Sequence, residues 1–446
     1  MTLTFAMAMA ASLSAQEAKR WTLDDCIDYA LEQNIQLRQN KIQLEESIVD
    51  VKSARADLFP SLSFSTGHNL TNRPYQENSS TVSGTEIITS DSKTTYNGNY
   101  GLNAQWTLFD GNKRTNTLKQ RKLSQKIAGL SVTETENTIQ EQIAQAFIQC
   151  LYANESVHIN EGTLSVSQAT YERGEEMFKA GSISKADLAQ LEAQVSNDRY
   201  QVVTAESQLR NYKLQLKQLL ELDGTEEMDL VLDEPSDAQV TAALPSQTDV
   251  YQTALASRPE IQSGKLSIES AKLGISTAKA GYLPTLGLTA STASNTNSAS
   301  DRSWSSQMKY GWNNMLGLNL SLPIFDNRQN KSAVEKARLQ YSSSQLDLIN
   351  KQKELYKSIE SLWLDAYNAQ VQFEAANGQL KSSTTSYEMV SEQFRLGMKN
   401  IVELLTEKNN LQSAQQTRVQ AKYMALLNRT LLDFYAGNGI HVASAE

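Results

Sequence analysis

Very little in this chain can do chemistry. Its 446 residues include only three histidines (His68, His158, His441) and two cysteines (Cys26, Cys150), all far apart in sequence. No CxxC, HExxH, GxSxG or phosphate-loop spacing occurs, so no motif marks a metal, a nucleophile or a nucleotide. No catalytic residue, metal site or cofactor is expected. No apolar run approaches the ~20 residues that a membrane-spanning helix needs, which excludes a helical membrane protein. Lys and Arg number 41 against 50 Asp and Glu, a net charge of -9 with no basic tract. Nucleic acid is therefore not an expected partner, because a phosphate-backbone binder concentrates positive charge. The single apolar terminus, residues 1–15, reads as an export signal with Gln16 as the first mature residue. Its basic flank is missing, since no Lys or Arg precedes Lys19, and the start reads as truncated. Cys26 follows Leu23-Asp24-Asp25 without the small residues that precede a lipidated cysteine, so no lipid anchor is expected.

What is present is a sequence written twice. Residues 30–66 match residues 254–290 at an offset of 224, through Ala30/Ala254, Ala54/Ala278, Ala56/Ala280 and Pro60/Pro284. Leu108-Phe109-Asp110 then matches Ile324-Phe325-Asp326 at an offset of 216, and Tyr171, Phe178 and Gly181 match Tyr387, Phe394 and Gly397 at the same offset. A loop of different length between Pro60 and Phe109 accounts for the change, since length differences concentrate in loops. Each copy reads as helix, strand, polar loop, strand, very long helix, tight turn, long helix. The first copy covers 16–222, with strands at about 60–67 and 100–109, a loop at 68–99, and long helices at 112–180 and 184–220. A linker at 223–248 leads to the second copy at 249–436, with strands at about 284–291 and 315–325, a loop at 292–312, and helices at 327–396 and 400–435. Residues 437–446 form a tail.

The strands alternate with a period of two. Leu102, Ala104, Trp106 and Leu108 share one face, and Leu316, Leu318, Leu320, Leu322 and Ile324 repeat the pattern. Long Ser/Thr/Asn/Gly loops join them, and Phe59, Trp106, Phe109, Tyr282, Trp312 and Phe325 lie near their ends, the habit of outer-membrane barrels. The helices of about 70 residues contain no proline. Ile139, Ile143, Ala146, Cys150, Ala153 and Val157 recur at spacings of four and three, as do Leu355, Ile359, Leu362, Ala366, Ala369 and Phe373, which is a coiled-coil seam. Asp198 interrupts the seam of the first return helix. At the tips, Gly181-Ser182-Ile183-Ser184 and Gly397-Met398-Lys399-Asn400 each supply a glycine to end one helix and a polar cap to start the next. Four strands cannot close a barrel, and open edges cannot sit in lipid, so other subunits must complete the sheet. Three copies would supply twelve strands under cyclic symmetry.

In order, duplication and spacing, these residues resemble the TolC-like outer-membrane efflux channels from about Trp21 to Tyr435. The carriers are the Thr22–Asn34 opening, the junctions at Pro60 and Pro284, the exits around Phe109 and Phe325, and the Phe-x-x-Gly tips. The resemblance implies a mainly α protein with a β-barrel part: a homotrimer whose twelve-stranded barrel in outer-membrane lipid continues as a long α-helical periplasmic barrel. It implies a passive exit duct that docks on a periplasmic adaptor and an inner-membrane transporter of RND, ABC or MFS type. It also implies an acidic entrance ring at the places held here by Glu403 and Thr406, with Glu407 as a substitute because Thr406 is not acidic. Polar links that hold the tip closed fall on Asp187 and Lys399, and adaptor docking on Phe178, Gly181, Ser182, Phe394, Gly397 and Met398. Glu403 and Asp187 equally occupy helix-capping positions, and both readings stand at this point. The alternatives for the whole chain are a type I protein-secretion duct and a coiled-coil scaffold without a pore.

Overall fold

The computed structural model describes residues 20–75, 79–83, 86–90, 93–223, 228–232 and 235–440. The export-signal reading of residues 1–15 lies outside them, as does most of the tail. The chain divides into two compact units. One comprises residues 42–130 and 263–349, the other residues 1–41, 131–262 and 350–446.

The first unit is built on an antiparallel sheet in which each copy of the repeat contributes two strands. They are β2 (Ser61–Asn72), β5 (Thr94–Phe109), β7 (Thr285–Asn297) and β8 (Asn313–Ser321), in the order β2-β5-β7-β8. A side hairpin, β3 (Ser79–Ser83) with β4 (Glu86–Ser90), lies in the first connection, and a short helix, α8 (Trp304–Tyr310), lies in the second. Register places every apolar row on the even-numbered face: Phe64 opposite Leu102, Leu62 opposite Ala104, Trp106 opposite Leu288, and Leu288 opposite Leu318. Leu62, Phe64 and Leu318 stay exposed, at 69%, 68% and 66%. Exposed apolar side chains along one sheet face and strands of nine or more residues match what a lipid-facing barrel segment requires.

The expected strand ends need correction. The strands of the first copy run to Asn72 and start again at Thr94, well inside the expected 68–99 loop, and β7 runs to Asn297 inside the expected 292–312 loop. Ser, Thr and Asn conceal the alternation there while still completing the ladder, as in His68 opposite Gly98 and Leu70 opposite Tyr96. The last strand ends at Ser321 rather than 325, because Pro323 has no N–H to offer a ladder.

Strands pass into helices through a corner built the same way in both copies. Gly111 and Asn112 take φ of 68° each, and Asn327 and Arg328 take 50° and 68°. Such left-handed pairs turn the chain sharply. Asp110 then accepts from the Arg114 backbone N–H at 3.0 Å, and Asp326 accepts from the Asn330 N–H at 2.8 Å, so each caps its helix. The helices that begin here, α3 (Lys113–Lys179) and α9 (Gln329–Arg395), each run 67 residues without a break. At 1.5 Å per residue each is roughly 100 Å long. On the entering side, α2 (Ile35–Ala56) stops before Pro60 and α7 (Pro259–Lys279) passes through a 3-10 turn before Pro284.

The second unit holds the rest of these helices with their returns, α4 (Lys185–Leu219) and α10 (Ile401–Tyr435), and the short helices α1 (Leu23–Gln33), α5 (Asp237–Thr241) and α6 (Gln247–Ser257). Ile139, Ile143, Ala146, Cys150, Ala153 and Val157 are all buried, as the seam pattern requires. The described residues of the 223–248 segment between the repeats form a packed strap. β1 (Arg20–Trp21) pairs in parallel with β6 (Asp229–Leu230). Val240 is fully buried in a cluster with Ala369, Phe373, Ala421 and Ala425. Gln370 and Arg429 donate to backbone carbonyls of the strap at 2.6–2.9 Å.

Candidate functional site

The two tips are the same motif built twice. Gly181 and Gly397 take φ of 73° and 74°, a region that favours glycine, although a side chain there would meet open space. Ser182 donates back to the Met177 carbonyl and Met398 to the Gln393 carbonyl, both at 2.8 Å, closing each helix in a Schellman turn. The next helix then opens with a reciprocal cap. The Ser184 hydroxyl accepts from the Asp187 N–H at 3.1 Å while Asp187 accepts from the Ser184 N–H at 3.0 Å. Asn400 and Glu403 repeat this at 2.9 and 3.2 Å.

These caps hold two of the site carboxylates. The Ser184 backbone N–H, with its hydroxyl, keeps Asp187 below its ordinary carboxylate value. The Lys399 ammonium, with the Asn400 N–H, does the same for Glu403. Lys399 pairs with Glu403 one turn away, so within a single chain Asp187 and Lys399 are not brought together as a link. Each is taken by its own helix terminus. Thr406 is exposed and donates to the Val402 carbonyl at 2.7 Å, offering no charge. Glu407 accepts from Ser386 of α9 at 2.9 Å, a bond within the second hairpin.

The tips differ in what they bury. Phe178 is 40% exposed, whereas Phe394 is 6% exposed and packs with Leu191 of the first hairpin, Ile401 and Leu404. Phe394 is thus a core residue that joins the two hairpins, which corrects its place among the docking positions. Phe178, Gly181, Ser182, Gly397 and Met398 are exposed. Of the junction residues, Phe109 and Phe325 are exposed at 40% and 85%, and Pro60 and Pro284 directly precede their strands.

Sequence reasoning missed the polar centre of the helical unit. Asp198 of α4, 1% exposed, pairs with Lys408 of α10, 6% exposed, and accepts from Ser167 of α3. Gln194 donates to its other oxygen at 2.9 Å. Burial lowers the Lys408 pKa against the pull of Asp198. The cluster thereby ties three helices from both hairpins together. Its one sequence signal was the break that Asp198 makes in an apolar seam, since the partner lies 210 residues away. A second centre surrounds Arg258, whose guanidinium lies 3.7 Å from the Tyr435 ring centroid and 3.4 Å from Glu141. Burial raises the Glu141 carboxyl and pushes the Tyr435 hydroxyl up to about 12.

Comparison with known proteins places this geometry. A family model described as outer membrane efflux protein matches residues 26–221 and 250–438, one block per repeat. The chain is 22% identical over 365 residues to the outer membrane efflux protein BepC of Brucella suis, covering 80% of this chain and 77% of that protein. It is 23% identical over 300 residues to the alkaline protease secretion protein AprF of Pseudomonas aeruginosa, covering 66% and 60%. Among solved structures, a crystal structure of CusC aligns with a TM-score of 0.80 at 19% identity, covering 94% of this chain and 92% of that one.

Proposed function

The chain belongs to the outer membrane efflux protein family, and from that membership and its open four-stranded sheet we infer that three copies close one exit duct through the outer membrane. The observation that carries this reading is the sheet itself. Its edge strands β2 and β8 have no partners among the described strands on their outer sides, and Leu62, Phe64, Leu316, Leu318 and Leu320 of its even face are exposed. Lipid tolerates neither open edges nor an unpaired ladder, and three identical sheets joined edge to edge give a closed barrel of twelve strands. Membership of the family makes the helical hairpins the wall of a periplasmic tunnel. The duct performs no chemistry. A periplasmic adaptor and an inner-membrane transporter of RND, ABC or MFS type load it, and the exposed tip residues Phe178, Gly181, Ser182, Gly397 and Met398 are the surface offered to the adaptor.

The proposed entrance is a ring of three Glu403 carboxylates, each ionised at neutral pH and held below its ordinary value by Lys399 and the Asn400 N–H. Such a ring favours cations over anions. Small-molecule efflux is the first reading of the cargo. Similarity to AprF, named for alkaline protease secretion, favours protein export as a second reading. Planar-bilayer recording tests the entrance. The wild-type protein should give discrete cation-selective conductances, and Glu403→Ala should lower the cation-to-anion permeability ratio by roughly twofold or more. Unchanged selectivity with a lower melting temperature would leave Glu403 as a helix cap alone.

A further inference from the structure

We propose that copies of this chain join through a repeat of the surface that joins its own two halves, with β8 and α9 of one copy set against β2 and α2 of the next. The proposal rests on the three-copy reading above and adds to it the surface, its register and its ion pairs. Within the chain the halves meet in two places. In the sheet, β5 of the first repeat pairs with β7 of the second, Gln105 opposite Thr289 and Ala104 opposite Ala290. Between helices, Gln120 of α3 donates to the Ser270 carbonyl of α7 at 3.1 Å and accepts from the Thr277 hydroxyl at 3.4 Å. Duplication gives each of these elements a counterpart. β8 and α9 follow β5 and α3 at the offset of 216, and β2 and α2 precede β7 and α7 at the offset of 224. β2 and β8 are opposite edges of one sheet, so their meeting requires a second copy.

Exposure follows the same correspondence. Leu123 of α3 is 7% exposed, whereas its counterpart Leu339 of α9 is 71% exposed. Leu266 and Leu273 of α7 are half-buried, whereas their counterparts Ile42 and Val49 of α2 are 57% and 60% exposed. Lys336, Leu339 and Leu346 share one face of α9, and Ile42, Glu46 and Val49 share one face of α2. Each is an apolar stripe carrying a charge, and the charges are opposite. Lys336 is the counterpart of Gln120, and Glu46 is the counterpart of Ser270. Asp50 is the counterpart of Gly274, where a side chain would meet the Gln120 amide at 3.4 Å. Carried over to the junction between copies, the Gln120 contact sets Lys336 against Glu46 and Asp50. Asp50 accepts from Arg121 of its own chain at 3.0 Å and keeps 57% of its side chain exposed. Leucines against Ile and Val, and a cation against two carboxylates, make a second copy of this chain the occupant that fits. The same transfer sets Ser321 of one copy opposite Ser65 of the next, and Leu320 opposite Thr66. Such a head-to-tail contact closes into a ring when its rotation divides a full turn.

Cysteine crosslinking of the full-length protein in membranes tests the register. Both native cysteines are buried, so paired substitutions supply the accessible thiols. Ser321→Cys is combined in turn with Ser61→Cys, Ser63→Cys, Ser65→Cys and Asn69→Cys, and each variant is oxidised with copper phenanthroline. Thiol-reversible dimers and trimers should peak at Ser65→Cys, roughly tenfold above Ser61→Cys or Asn69→Cys, which stand about 13 Å along the strand and beyond disulfide reach. A peak at another position, or no crosslink at any, overturns the proposal. A charge exchange tests the helical part. Lys336→Glu and Glu46→Lys should each lower the temperature at which the trimer dissociates, and the two together should restore it. Losses that simply add would overturn the pairing. Imaging of the wild type separates this outcome from failure of the three-copy reading. Threefold particles whose crosslinks peak elsewhere sink only the proposed surface, whereas a wild type without threefold particles sinks both.

Discussion

Cys150 shows how a residue's chemistry is set by its place on a helix. It fills a small-residue position in the α3 seam with no exposed surface, and burial pushes its thiol up to about 12. Thiolate is the reactive form, so the folded protein should leave Cys150 unlabelled by a maleimide at pH 7, with labelling only after unfolding. Rapid labelling of the folded protein would contradict the packing. At the tips the relevant groups are Asp187 and Glu403, both with folded values below their ordinary 3.8 and 4.5. A lowered carboxyl stabilises the folded state above its unfolded pKa and loses that contribution as pH falls through the folded value. The Ser184, Asp187, Asn400 and Glu403 amides, which the boxes bond, should therefore be protected at pH 7 and lose protection below about pH 4. Hydrogen exchange, corrected for intrinsic rate, reads this, and protection that does not change with pH would contradict it.

At the scale of elements, the Asp198–Lys408 pair is where two hairpins become one body. Removing one partner leaves a buried charge alone, so Asp198→Asn or Lys408→Met should each destabilise by about 3–5 kcal/mol. The double replacement Asp198→Leu/Lys408→Met should recover most of that loss, because both desolvation costs vanish together. Chemical denaturation of the four proteins checks the cycle, and additive losses in the double variant would refute the coupling. This pair also marks the limit of what the sequence discloses. Seams, tips and capping boxes are local, and their spacing is legible because each signal fits within a few turns. The partnership of Asp198 with Lys408, and the burial of Phe394 beside an exposed Phe178, depend on helices that meet only after folding. The strands were readable where leucine alternates and unreadable where Ser, Thr and Asn complete the same ladder. The strap around Val240 looked like a linker because its anchors, Gln370 and Arg429, are more than a hundred residues away.

At the scale of the whole molecule, duplication supplies two hairpins and one four-stranded sheet whose edge strands have no outer partner among the described strands, an arrangement that is unfinished as a monomer. Family membership places it in the outer membrane as an exit duct, and three copies are needed to close the barrel. Imaging of the detergent-extracted protein, classified without imposed symmetry, tests it most directly. Threefold particles that carry a detergent belt are expected. Single-chain rods without a belt, recovered equally well in detergent-free buffer, would contradict it.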